Sequence, residues 1–281
     1  MAALTPADYE NLYNARAAAP DFQQHFERWQ NSSVQARSRA DGYLDIPYGP
    51  HPMQTLDIFR AKGPSRGMLI FIHGGYWRSL DKSFQSFLAT ELNAAGITVA
   101  LPNYELCPKI SMDGIVMQMV QACAWLWRNA SHFGAPAGKL AVSGHSAGGH
   151  LAAMMAACRF DCYAADLPRE LLRGALCISG VYDLDPIRHV ASVNGDVRLD
   201  AKLAERCSPA WMPPASHAPV ITAVGEREPQ GFHDQQALLR KRWKSAIRQE
   251  ILCTGKHHFD ILYELNQPSS ALFKSALSLF D

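Results

Sequence analysis

The pentapeptide Gly144-His145-Ser146-Ala147-Gly148 constrains this chain more than any other stretch. An apolar, β-prone run (Lys139–Ser143) precedes it, and a helix-prone run (Gly148–Ala157) follows. A G-x-S-x-G between strand and helix describes a nucleophile elbow. The serine sits on a tight turn, its Oγ is thrust off the sheet edge, and the glycines let neighbouring backbone pass without Cβ clashes. Composition alone produces such a pentapeptide roughly 0.1 times in a chain of this length. Its weight therefore comes from its context and from the partners that the chemistry requires.

The first partner lies about seventy residues upstream, where the strand-like run Gly67–Ile72 feeds His73-Gly74-Gly75-Tyr76-Trp77. Acyl transfer to a serine needs backbone N–H groups that stabilise the oxyanion of a tetrahedral intermediate. Two glycines after a strand let such donors approach a substrate closely. The expected oxyanion hole is built from Gly74, Gly75 and Tyr76, together with Ala147, the residue after the serine.

A chain of 281 residues with 48% apolar content suits a single large α/β domain. Its net charge of +1 offers no footprint for nucleic acid or an anionic membrane. Residues 1–30 have no apolar core of a signal peptide, and no apolar run approaches a membrane span, so a cytoplasmic protein is expected. Seven scattered cysteines read as buried thiols rather than disulfides or a zinc site. No metal and no cofactor is expected.

Residues 1–42 read as a helical extension outside the sheet, broken at Pro20, with Tyr9, Leu12, Tyr13 and then Phe22, Phe26, Trp29 on helix faces that pack onto the core. From Tyr43 strands and helices alternate. Strands are expected at 43–48, 54–60, 67–72, 97–101, 139–143, 173–179, 219–224 and 248–253, the first two as an antiparallel pair. Helices are expected at 82–95, 111–130, from 148 after the elbow, at 230–247 and from about 259. Such alternation predicts a mostly parallel sheet with helices on both faces, and a site beyond the carboxyl ends of its strands. The irregular, proline-rich stretch 181–217 is expected to form a small cap or lid over that edge.

A serine hydroxyl needs a base, and the base an acid that fixes its tautomer. In a hydrolase with this elbow the chain order is serine, acid, histidine. The loop after the last strand offers His257 and His258, of which the second is favoured; the other nine histidines default mostly to loops and surface. For the acid, the loop after the penultimate strand offers Glu228 and Glu226, with Asp183 and Asp185 after the preceding strand as further candidates. Glu228 is favoured.

These residues resemble the serine-type arylformamidase (kynurenine formamidase) family of α/β-hydrolases. The resemblance rests on His73-Gly-Gly-Tyr-Trp77, Leu80-Asp-Lys82, Asn103-Tyr104-x-Leu106 and Ser143–His150. It extends to Gly225-x-x-Glu228, Phe232-x-x-Gln235, His258-Phe-Asp260 and the N-terminal Tyr13-Asn-x-Arg16 and Arg28-Trp29. It implies the α/β-hydrolase fold, with Ser146 as nucleophile, His258 as base and Glu228 as acid. Glu228 departs from the family's more usual Asp, and His257 from an acidic or small residue.

The implied activity is hydrolysis of N-formylkynurenine to formate and kynurenine, a step of tryptophan breakdown. A narrow oxyanion pocket suits a formyl group, and Tyr76 and Trp77 are expected to stack on an aryl leaving group. N-formylanthranilate or simple aryl esters suit the same machinery. The alternatives are a carboxylesterase of small acyl esters and a non-catalytic binding module on this fold. A small-molecule aryl amide or ester is the expected partner, and the oligomeric state is open, a homodimer included.

Overall fold

Buried apolar strands organise the chain. In the computed structural model, which describes residues 4–281, eight strands form one sheet: β1 (Gly42–Pro47), β2 (Thr55–Phe59), β3 (Gly67–Ile72), β4 (Ile97–Pro102), β5 (Leu140–His145), β6 (Ala175–Ile178), β7 (Val220–Gly225) and β8 (Ile247–Cys253). Their order across the sheet is β1-β2-β4-β3-β5-β6-β7-β8. The first two strands pair antiparallel, β2 is antiparallel to β4, and the remaining pairs are parallel. All the residues of β3 to β7 are buried, as expected of parallel strands covered on both faces by helices. The outermost strands are mostly exposed; β8 carries Arg248, Gln249 and Glu250, and β1 is interrupted by a register shift between Tyr43 and Ile46 and ends at Pro47, which blunts the sheet edges.

The helix Met112–Asn129 follows its apolar period, burying Met112, Ile115, Met119, Cys123 and Leu126. The helix Ala147–Ala157 is apolar nearly all round and lies buried against β5 and β6. Elsewhere local chemistry shortens the expected helices. Residues 82–95 start as a tighter 3₁₀ turn (Lys82–Leu88) and become α-helical only at Ala89–Ala94. The helix expected at 230–247 stops at Arg242, where Trp243 turns into the core and donates its indole N–H to the Met212 carbonyl. The closing helix is two, Ile261–Glu264 and Ala271–Ser278, separated at Pro268 and restarted by the Ser270 hydroxyl, which accepts from Phe273 N–H at 2.9 Å. The stretch 181–217 contains four short helical pieces rather than irregular chain.

The N-terminal residues form helices at Pro6–Tyr13, Ala15–Ala18 and Phe22–Arg39. An ion cluster ties the last of these to the sheet. The fully buried Asp57 of β2 meets Arg37 on one side and Lys82 Nζ at 2.9 Å on the other. Lys82 also reaches Asp45 at 2.5 Å. A buried carboxylate without such cations would carry a large desolvation cost, so removing either cation would leave it uncompensated.

Strand order also fixes where a site can form. From β3 the chain crosses outward to β4, then returns past β3 to β5, and each later strand adds on the opposite side. The loops leaving β3 and β5 therefore diverge, which opens a crevice at the carboxyl ends of those strands.

Candidate active site

Ser146 occupies that crevice. Its backbone is held at φ 57°, ψ −120°, a conformation that an L residue adopts only when its surroundings impose it. Those surroundings are tight: a Cβ on Gly148 would lie 1.9 Å from the Ile72 carbonyl oxygen. The turn is also tied sideways, because Ser146 N–H donates to the Ile178 carbonyl of β6 at 2.8 Å.

The loop after β3 wraps beside it. Gly75 has φ 105°, and a Cβ there would meet the Ser79 carbonyl oxygen at 2.0 Å. Tyr76 and Trp77 continue in the left-handed region. His73 anchors the start of this loop. Its ring stacks on Tyr104 at 4.2 Å between centroids, its Nδ1 meets the Gly74 carbonyl at 2.8 Å, and its Nε2 meets the Asn103 side chain at 3.1 Å. Burial lowers the His73 pKa to about 4, so the ring is neutral near pH 7 and its Nδ1–H can donate to Gly74. The Tyr104 hydroxyl donates to the His73 carbonyl at 3.0 Å. The His-Gly-Gly and Asn-Tyr segments are thus halves of one support. Among the described residues, Gly75, Tyr76 and Ala147 N–H donate to no backbone or side-chain acceptor.

His258 lies on the loop after β8. Its Nδ1 is 2.6 Å from Glu228 Oε2, and the other carboxylate oxygen of Glu228 accepts from Ser179 Oγ at 2.6 Å and Gly225 N–H at 2.7 Å. The His258 carbonyl accepts from His145 Nε2 at 2.7 Å, so the residue before the serine clamps the histidine loop. Burial, and then the neighbouring His258, hold the His145 pKa well below the usual histidine value, which keeps it a neutral donor. Ser146 and His258 line one cleft of about 590 Å³, including the space at its mouth that is open to solvent.

The other candidates point elsewhere. Glu226 accepts from Gly255 N–H at 2.7 Å. Asp183 accepts from Asp185 N–H at 3.0 Å, and Asp185 pairs with Arg188 at 2.7 Å. His257 is absent from the cleft lining; its Nδ1 accepts from Phe259 N–H at 3.1 Å.

Several expectations need correction. Trp77 is not a wall of the cleft: it is fully buried, with its ring 5.1 Å from His150 in an edge-to-face contact, whereas Tyr76 does line the cleft. The N-terminal extension does more than pack, because Asn14, Ala15, Arg16, Phe26 and Trp29 form one wall of the cleft. Of the nine histidines outside the closing loop, six are partly or fully exposed, as expected of most of them, and His73, His145 and His150 are buried. Ser179, Arg78 and Ser192 were missed; an amphipathic pattern says that a helix packs, without saying against what. Cys162 is exposed and Cys158 half-buried, while the other five thiols are buried.

The expectation that no metal-ligand group could assemble fails in one place, where Asp21, His25 and His257 place ligand atoms within 4.8 Å of one another. Their hydrogen bonding accounts for the cluster without an ion. His257 Nδ1 accepts from a backbone N–H, so in the neutral ring the proton sits on Nε2, which faces Asp21 at 3.6 Å.

A strained serine between strand and helix, in a crevice at a topological switch point, defines the hydrolase arrangement of an α/β sheet. The chain belongs to the alpha/beta hydrolase fold family, which it matches over residues 69–251. It is similar to the kynurenine formamidases of Salmo salar (29% identical, covering 90% of this chain and 87% of that one) and Danio rerio (28%, covering 95% and 92%). Among solved structures it is similar to a Silicibacter protein provisionally described as a thioesterase, at 31% identity and TM-score 0.81, covering 94% of this chain and 96% of that one. Among the described residues no helix is long and apolar enough to cross a membrane.

Proposed function

We propose that this hydrolase cleaves aryl formamides, with N-formylkynurenine as the type substrate, through a formyl-enzyme intermediate. The observation that carries the mechanism is the 2.6 Å contact between His258 Nδ1 and a Glu228 carboxylate anchored by two further donors, behind a cleft that Ser146 shares. That contact keeps the His258 proton on Nδ1 and frees Nε2 to act as a base. Ser146 Oγ attacks the formyl carbon while Nε2 takes its proton. The oxyanion is met by N–H groups of the Gly74–Tyr76 segment and of Ala147. His258 then returns the proton to the departing arylamine nitrogen. Water, activated by the same histidine, attacks the formyl ester and releases formate and free Ser146.

The aryl group is read by Phe26, Trp29, Phe259 and Tyr76, which supply aromatic surface in the cleft. The short helices of 181–217 act as its cap, through Ser192 and Val193. The full-length similarity to kynurenine formamidases supports the formamide over a simple ester. The test is a side-by-side measurement of kcat/KM on N-formylkynurenine, N-formylanthranilate and p-nitrophenyl acetate. The formamides should exceed the ester, and the reverse order would make the chain a carboxylesterase.

A further inference from the structure

The cleft has a charge imbalance that the chemistry above leaves unused. Its lining holds two arginines, Arg16 and Arg78, and no aspartate or glutamate. Glu228 is bound to His258 Nδ1 and is not part of the cleft lining. Arg78 is neutralised in place, because its guanidinium pairs with Asp196 of the short helix Ala191–Val197. Arg16 is not. Among the described residues it forms no ion pair and no side-chain hydrogen bond; its guanidinium lies 5.4 Å and 5.7 Å from the ring centres of Phe22 and Phe26. Those faces hold the planar group by cation–π attraction and offer its N–H donors nothing to bind. Burial against this wall, and then the nearby Arg78, lower its pKa, as befits a cation lacking a counter-charge.

We propose that Arg16 is a specificity-determining residue that binds a carboxylate on the leaving group of the substrate. The inference rests on the formamidase reading for which bond breaks, and adds which residue holds the amino-acid carboxylate that N-formylkynurenine carries beyond its aryl ring. A guanidinium fork matches a carboxylate bidentately, and in a cleft with aromatic walls such a charge-assisted pair is stronger than in water. The contact exists before and during bond cleavage alike, so its loss should appear mainly in KM. Neutral aryl formamides then reach the same serine with lower efficiency.

The test uses desamino-N-formylkynurenine and its carboxamide, which share the scissile bond and differ in one charge. The wild type should prefer the acid in kcat/KM by about tenfold or more. In Arg16→Gln the acid-to-amide ratio should fall to about one, and Arg16→Lys should restore part of it. Added salt should raise KM for the acid only. The same ratio is measured as Kd by calorimetry in Ser146→Ala and in Ser146→Ala/Arg16→Gln, where no bond is cleaved. A wild-type ratio near one, or a preference that survives Arg16→Gln, overturns the proposal. If the wild type leaves both formamides intact, the formamidase reading fails by itself, and the two Kd ratios still decide the role of Arg16.

Discussion

Glu228→Gln separates a carboxylate that orients His258 from one that merely fills space beside it. Both neighbours of Glu228 Oε1, the Gly225 N–H and the Ser179 hydroxyl, are donors, at 2.7 and 2.6 Å. The glutamine oxygen must stay there, which turns its NH₂ toward His258 Nδ1. Two donors cannot face each other at 2.6 Å, so the imidazole moves its proton to Nε2 and accepts at Nδ1. Nε2, the proposed base, then carries a hydrogen and cannot take the proton of Ser146. A wrong tautomer costs about ten-thousandfold in kcat, equivalent to about 5.5 kcal/mol of transition-state stabilisation. Packing volume hardly changes, so the thermal midpoint and circular dichroism should stay near wild type. Because the wrong tautomer is already neutral, raising the pH should not rescue it. The assay is steady-state kcat on N-formylkynurenine from pH 6 to 9. A loss smaller than about a hundredfold, or recovery at high pH, would refute the reasoning.

On the closing loop, His258→Ala should lose several orders of magnitude in kcat while His257→Ala costs about tenfold through loop positioning, and the opposite ranking in the same assay would reassign the base. Dialysis against EDTA should leave the rate unchanged, whereas a loss that zinc restores would make Asp21, His25 and His257 a metal site. Acid should weaken the fold before it protonates ordinary carboxylates. Burial lowers the His73 and His150 pKa values to about 4 from an unfolded value near 6.5, so between those limits the unfolded chain binds more protons. Stability is therefore complete above pH 6.5 and falls as pH drops, by about 2 kcal/mol per histidine at pH 5. Urea melts at pH 7, 6 and 5 measure it, and a flat profile would contradict neutral burial of these rings.

The sheet was readable because its signals are local. Runs such as Met68–Ile72 and Leu140–Val142 are apolar at every position, as a strand covered on both faces requires. The elbow combines a strand, a turn and a helix within a few residues. Where two candidates adjoin, sequence spacing does not say which side chain turns inward. Glu226 and Glu228 are separated by which carboxylate the Gly225 N–H meets, and His257 from His258 by a backbone N–H captured within the loop. The wall at Arg16, Phe26 and Trp29 was illegible for a different reason. Their pattern gives the buried face of a helix, and the surface that receives it comes from the opposite end of the chain. Trp77 misled because a tryptophan beside a glycine loop has the same composition whether it faces a ligand or the core.

That N-terminal wall imposes an order on how the protein is made. Phe26 and Trp29 leave the ribosome early, and the ring against which both pack, Phe259, is translated some 230 residues later than Trp29. Until then the aromatic stripe of the Phe22–Arg39 helix is covered only in part, by Phe84 and later His145, and the side that Phe259 covers stays open, a surface of the kind that holdase chaperones grip. The cleft cannot close, and no substrate can be turned over, until the segment bearing His258 and Phe259 has emerged and docked. A nascent chain stalled short of that loop would be both inactive and adhesive, so slow translation of the last third should cost soluble yield more than slow translation of the first.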